Sequence, residues 1–372
     1  MSSNEGLYTR LFEMLREFHP EVHVKRIANW VWIIIGLIQS QSIHLSEISD
    51  ELPGPAKAAG RIARIRRWLS NEKVDVATFY DPLIKRVLQG WKGKAAFIIL
   101  DGCSVNHAKL QFFRLSLSHC FRALPLAWKT IAKKGLIKVE ACAELLEGAA
   151  KLLKDTASVT FLADCGFRDK DWAAKCVKLG WNYELRIAKS TLITFADNRR
   201  IKVDDLDIQV GRARHFHTWC VRLTAECDWL CNLSVTRLAA TPDRPSELCA
   251  IATNLRACHQ ALRDYITRMH IEESFRDDKS GSFDLGATHL IDADRFDHLL
   301  LAVAVAVLWI HELGQRLICS GQRDIIDPAY KRQLSVFTIG WRYLRRCINL
   351  GSIPLFTLRL TPIRLAPVWT KC

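Results

Sequence analysis

The chain has 372 residues, 49% of them apolar, and its 53 basic against 39 acidic residues give a formal charge of +14. Such a composition supports a large buried core, excludes wholesale disorder and calls for a polyanionic partner, nucleic acid before an acidic lipid surface. The two most apolar runs, "WVWIIIGLI" (30–38) and "LLLAVAVAVLWI" (299–310), fall short of the roughly 18–20 residues of a spanning helix, so buried core helices and no membrane partner are expected.

The N-terminal stretch "MSSNEGLYTRLFEML" lacks a basic region followed by an apolar one, and a cytoplasmic protein is expected. The thirteen cysteines are scattered without a C-x-x-C pair. Cys227 and Cys231, the closest pair, have no partner pair at metal-finger spacing, so reduced, mostly buried thiols are expected rather than a structural zinc.

Residues 1–90 are predicted to form a helical N-terminal domain. In "SIHLSEISDELPGPAKAAGRIARIRRWLSN" (42–71) a Pro-Gly-Pro break separates a helix over 45–52 from a second ending at Leu69, the outline of a helix-turn-helix. The second helix carries Lys57, Arg61, Arg64, Arg66 and Arg67 beside inward-facing Ile62, Ile65 and Leu69, which makes it the candidate DNA-groove helix.

From residue 91 to 190 the pattern becomes mixed. "AAFIILDG" (95–102) reads as a buried strand ending in Asp101, followed by strands over 109–119 and 122–131, a helix over 137–154, and "ASVTFLADCGF" (157–167), a strand ending in Asp164. A helix near 169–179 and the strand "NYELRI" (182–187) complete a mixed sheet with helices on its faces. Residues 191–258 alternate apolar and polar in four stretches and are expected to form an inserted set of antiparallel strands. Its Trp219 and Trp229 are candidates for stacking on a nucleobase, with core packing as the competing reading of each. "HFH" (215–217) and the pair His19 and His23 lack partners in register and read as core or surface histidines. Residues 259–321 return to helical periodicity, including a long apolar helix over 293–317, and a basic tail with only Asp324 and Asp327 as acids occupies 322–372.

One stretch, "YITRMHIEESFRDDKS" (265–280), organises the rest. On a regular helix Tyr265, Arg268, Glu272 and Lys279 fall within an arc of about 60° over four turns. A solvated face with an Arg268–Glu272 pair accounts for two of the four residues only. Asp101 and Asp164, each at the C-terminal end of an apolar strand, are open to a turn-forming reading singly. With Glu272 they make three carboxylates that would need hard cations such as Mg²⁺ or Mn²⁺ to stay ionised together, and two such ions suit in-line displacement at phosphorus.

Tyr265, Arg268, Glu272 and Lys279 reproduce the Y-(2)-R-(3)-E-(6)-K spacing of bacterial insertion-sequence DDE transposases of the insertion sequence four group, and "ILDGCSV" and "FLADCGF" resemble that family's two aspartate motifs. The resemblance covers about residues 90–315. It implies a ribonuclease-H-like core interrupted by a β-strand insertion and preceded by a helical DNA-binding domain. It further implies Asp101, Asp164 and Glu272 as ligands of two Mg²⁺ (or Mn²⁺) ions, and Tyr265, Arg268 and Lys279 as DNA-phosphate contacts. A homodimer that pairs the terminal inverted repeats and transfers the cut 3′ end to target DNA follows from the same resemblance, with no small-molecule cofactor. Cys103 and Cys165 depart from the family pattern, which often has Thr or Ser and Arg there. Two alternatives stay open: a catalytically silent DNA-binding protein, and another ribonuclease-H-like nuclease.

Overall fold

The computed structural model describes residues 3–132, 137–226, 228–242 and 245–363; Cys227 and the end of the basic tail, 364–372, lie outside them. The chain divides into two compact units. Unit one comprises Met1–Lys92, Gly102–Lys134 and His270–Cys372, and unit two Gly93–Asp101 and Gly135–Met269.

Unit one opens with five helices: α1 (Ser3–Phe18), α2 (Val24–Ser40), α3 (Leu45–Asp50), α4 (Ala58–Leu69) and α5 (Val76–Leu88). The apolar run of α2 is buried, from Trp30 through Ile38. His23 caps α2 by accepting the Lys25 amide at 3.2 Å, and His19 is buried against Trp30 and Phe79. The helix expected over 45–52 ends at Asp50, and the second helix ends at Leu69 as expected.

The same unit holds β2 (Leu110–His119) and β3 (Arg122–Ile131), the end of β1 (Ala95–Val105), and three C-terminal helices. These are α9 (Met269–Arg276), whose first residue belongs to unit two, α10 (Ala293–Cys319) and α11 (Val336–Asn349). Asp292 and Ser335 start the last two by accepting the Arg295 and Thr338 amides. By length and composition α10 would pass for a membrane span, but it is buried along most of its length as a core helix. The segment read as a basic tail contributes α11, which packs on α10 so closely that a Cβ on Gly340 would lie 1.8 Å from the Ile310 carbonyl oxygen. The arginines of α11, Arg342, Arg345 and Arg346, face outward.

Unit two contains the first seven residues of β1, then α6 (Ala143–Leu152), β4 (Ser158–Ala163), α7 (Lys170–Lys178) and β5 (Asn182–Ile187). Four short strands and two longer ones that pair with each other follow: β6 (Leu192–Phe195), β7 (Arg200–Lys202), β8 (Ala213–Phe216), β9 (Val221–Leu223), β10 (Asn232–Leu238) and β11 (Glu247–Thr253). Helix α8 (His259–Ile266) closes the unit. Hydrogen bonding orders the main strands β3-β2-β1-β4-β5-β11-β10-β8, so the chain is mixed α/β with an eight-stranded mixed sheet and flanking helices, compatible with a ribonuclease-H-like core.

The stretch 191–258 is antiparallel, as its alternation predicts, but it is not one self-contained insertion. Strands β6, β7 and β9 form a separate three-stranded sheet, whereas β11 pairs antiparallel with β5 and carries β10 and β8 outward from the sheet edge. The physical reason lies in β11, where Leu248 through Thr253 are buried without alternation. A strand apolar on both sides belongs inside a sheet rather than on its surface.

Beside β11, Glu184 on β5 is fully buried, and among the described residues neither carboxylate oxygen finds a hydrogen-bond partner. Burial pushes its carboxyl up to about 8, with nearby Asp264 and the Cys258 thiol adding to the effect.

Candidate active site

Strands β1 and β4 run parallel, with Leu100 and Ala163 as register partners. The buried runs Ile98–Leu100 and Phe161–Ala163 hold both strands in the sheet centre. The next residue in each case is an acid, Asp101 within β1, which runs on to Val105, and Asp164 just past the end of β4, so the two stand side by side, one strand spacing or about 4.8 Å apart by backbone. Asp164 caps the short turn Cys165–Phe167, its Oδ1 accepting the Gly166 amide at 2.8 Å. A Cβ on Gly166 would crowd that oxygen to 2.9 Å, which ties a glycine at this position to the carboxylate's orientation.

Two residues of the opening stretch meet this pair of strands. The Tyr265 phenol donates to the Ala163 carbonyl at 3.2 Å, and Arg268 Nη1 lies 3.3 Å from Asp101 Oδ2. Both side chains are buried, and burial raises the phenol's pKa strongly. The single four-turn helix expected for the four residues is not present. Helix α8 ends at Ile266 in a turn whose amides of Thr267 and Arg268 bond back to Asp264 and Tyr265, both at 2.9 Å, before α9 begins at Met269. Bonds of this i→i+3 type eclipse residues three apart. That turns Tyr265 and Arg268 to one side more closely than the offset of about 60° on a regular helix. Arg268 therefore pairs with Asp101 at a buried position rather than on a solvated face.

Tyr265→Phe keeps the ring among Cys249, Ile251 and Leu262 and removes only the bond to Ala163. The expected loss is about 1 kcal/mol of stability in urea unfolding. Unchanged stability would return the phenol to a role in DNA contact.

In unit one, Glu272 sits half-buried in the first turn of α9. Its neighbour Glu273 pairs with Arg276 at 3.1 Å and with Arg122 at 3.9 Å. Lys279 lies in a π turn over Asp277–Ser282, a local widening common at functional sites. Two ion pairs hold that turn: Arg122 to Asp277 and Arg114 to Asp278, each at 2.5 Å. Arg114 also lies over the Phe275 ring, 4.4 Å from its centre. Burial raises the Cys103 thiol, and the ammonium of Lys279 beside it opposes that shift, so Lys279 extends towards the residue two positions after Asp101. Arg114, Arg122, Asp277 and Asp278 were not singled out from the sequence, where "RDDK" reads as an ordinary polar helix end.

The remaining candidates separate by exposure. Trp229 is buried, its indole N–H 3.4 Å from the Tyr183 hydroxyl, which is the core-packing reading. Trp219 is 75% exposed and stacked on His217 at 4.5 Å. Of the "HFH" histidines, His215 bonds the Ser234 hydroxyl and stacks edge-on against His259. On α4, Arg61 is held by the carbonyls of Ser49 and Ala56 and by Asp50, and Arg64 donates to Asn29 at 2.6 Å. Lys57, Arg66 and Arg67 are exposed.

Asp101 and Asp164 bring two carboxylates side by side, with one guanidinium on Asp101. That set is oxygen-rich, the donor chemistry of a hard divalent cation rather than of zinc or copper. Residues 139–309, just under half of the chain, match the family model described as a transposase DDE domain. The matched span includes Asp164, Tyr265, Arg268, Glu272 and Lys279 and begins after Asp101. It supports a DDE transposase, a family that generally uses divalent metal ions. No curated protein matches the sequence.

Proposed function

We propose that this chain is a DNA transposase of the insertion sequence four group. It binds the terminal inverted repeats of its own element, cuts them, and joins the freed 3′ ends to target DNA. The observation that carries the reading is the register of β1 and β4, which sets Asp101 beside Asp164 within a chain that matches a transposase DDE domain. Asp101, Asp164 and Glu272 are the residues that would hold two Mg²⁺ ions, with Mn²⁺ as substitute. Bound there, the ions would supply an activated water and would stabilise charge on the leaving oxygen.

The chain's own residues do the rest. Arg268 fixes the Asp101 carboxylate, and Tyr265 anchors the end of β4 from which Asp164 projects. Lys279, on its pinned π turn, is the cation for a phosphate next to the scissile bond, and Arg268 reaches a second phosphate where DNA displaces it from Asp101. Trp219 offers an exposed ring on which an unpaired base stacks. The chemistry is two displacements at phosphorus. Water first releases a 3′-hydroxyl from the element's end, and that hydroxyl then attacks target phosphate, with no covalent enzyme intermediate. We further infer a cytoplasmic homodimer that pairs the two ends. The test is metal-dependent nicking of DNA carrying the repeats that flank the gene, followed by joining of the cut end to a second duplex. Nicking without joining would favour another ribonuclease-H-like nuclease, and binding without nicking a silent DNA-binding protein.

End binding is assigned to the helical region, with α3 and α4 as a helix-turn-helix and Lys57, Arg66 and Arg67 facing the DNA backbone. Arg61 and Arg64 act inside the helix assembly instead. Arg66→Ala with Arg67→Ala should weaken end binding and flatten its salt dependence, each lost phosphate contact lowering the log–log slope by about 0.9. An unchanged slope would remove α4 from the interface.

A further inference from the structure

A second cluster of ligand-type side chains lies in unit one, apart from the carboxylates. His119 ends β2, Cys120 begins the turn into β3, and His311 stands in the middle of α10, 192 residues from His119. His119 Nδ1 and His311 Nε2 are 2.7 Å apart, and Cys120 Sγ lies 3.4 Å from His119 Nε2. With one donor atom per residue, all three fall within 4.8 Å of one another, and all three residues are buried.

The turn that presents Cys120 is unusual. Cys120 and Phe121 form a two-residue hairpin loop with φ of 50° and 62°. Such loops favour Asn-Gly because both positions need positive φ. A Cys-Phe pair there violates the local preference, as sequences do where a side chain has another task.

Hydrogen bonding fixes the proton positions. His119 Nε2 lies 2.9 Å from the Thr361 carbonyl, which only accepts, so that nitrogen carries the proton and Nδ1 is a lone pair. His311 Nε2 must then donate to it, which leaves His311 Nδ1 a buried lone pair without a partner among the described residues. Two neutral imidazoles and a thiol in one buried place, one imidazole already bonded through its far nitrogen to a carbonyl, is the arrangement of metal-ligating histidines.

We propose that His119 Nδ1, His311 Nε2 and Cys120 Sγ bind one transition-metal ion of the zinc class. Nitrogen and sulfur donors separate this site from the oxygen-only acids. On binding, the Cys120 thiol proton leaves to solvent and a thiolate–metal bond forms. The proton on His311 Nε2 moves to Nδ1, beside a polar cavity of about 10 Å³ that His311 lines with Arg122, Ser274 and Asp277, room for one accepting water. Metal–nitrogen bonds of ~2.0–2.1 Å set tetrahedral nitrogens ~3.3 Å apart, so the rings need to part slightly, and Cys120 Sγ, which rests beside His119 Nε2, has to turn about its Cα–Cβ bond towards the Nδ1 side. The ion would clasp the β2–β3 turn and α10 to the C-terminal segment. That segment is already held by Glu312 to the amides of Thr357 and Leu358 and by Gln315 to Thr361.

The test is titration of the full-length, chelator-treated protein with Co²⁺, followed by visible and near-ultraviolet absorption. One equivalent should produce tetrahedral cobalt bands and a thiolate-to-cobalt charge-transfer band, and Zn²⁺ should bleach both. Cys120→Ser should abolish the charge-transfer band, and His311→Gln should weaken cobalt binding at least tenfold. Asp164→Asn should leave the band unchanged. No charge-transfer band in folded wild-type protein, or a band that survives Cys120→Ser, would overturn the proposal. The first of these needs no variant, so a misfolded His311→Gln protein leaves the test intact.

Discussion

Asp164→Asn is expected to abolish metal-dependent nicking of DNA that carries the element's ends, while binding of those ends stays within about twofold. Asparagine keeps an oxygen to cap the Gly166 amide, so the turn Cys165–Phe167 survives and only the negative charge is lost. With one anionic ligand removed, the two-ion arrangement fails, whereas affinity rests on phosphate contacts elsewhere. Asp101→Asn and Glu272→Gln should behave alike. Glu273→Gln is the control: its carboxylate pairs with Arg276, and the variant should cut at the wild-type rate. Gel assays of nicking and of end binding decide the matter together. Appreciable nicking by any of the three acid variants would remove that residue from the site.

The largest stability effect is expected at Glu184. Its folded-state pKa of about 8 stands above the ordinary value of 4.5, so between those pH values the folded chain holds a proton that the unfolded chain has released. Stability from this group is therefore fully present below pH 4.5 and is lost as pH rises through 8. The whole effect is on the order of 5 kcal/mol as an upper bound, from about 1.4 kcal/mol per pKa unit. Glu184→Gln removes the titration, and the measurement is the difference in urea stability between wild type and variant at a series of pH values. That difference should move in the variant's favour from pH 5 to 8.5. Comparing the difference cancels His19, His119, His270 and His311, whose lowered pKa values act in the opposite direction at lower pH. A flat difference would mean that Glu184 ionises in the fold with a partner.

The two aspartates were legible because a buried parallel strand is a continuous apolar run, and an acid closing such a run stands out. Their adjacency was not, since it depends on β1 and β4 being in register at Leu100 and Ala163. The spacing from Tyr265 to Lys279 was legible as a motif but not as a shape. A tight turn at Thr267 and a π turn at Asp277–Ser282 break the regular periodicity on which the angular reading relied. Arg61 and Arg64 looked like DNA contacts because a one-dimensional pattern cannot show that Ser49, Asp50 and Asn29 wait for them. His119, Cys120 and His311 escaped notice for the opposite reason: no local spacing joins residues so distant in sequence.

The pairing of β5 with β11 also bears on how the chain is made. The inner edge of β5 is complete by Ile187, but the strand that covers it starts only at Glu247. At ~5–20 residues per second of synthesis, β5 leaves the ribosome seconds ahead of its partner. During that interval its backbone donors and acceptors form an open template, flanked by the apolar strand β4. Rapid overproduction raises the number of such half-built edges present at once, and slower synthesis at low temperature reduces their encounters with one another. The hairpin of β10 and β11 thus works as the chain's own late-arriving cover, and deleting it would leave a product that aggregates before it could be assayed.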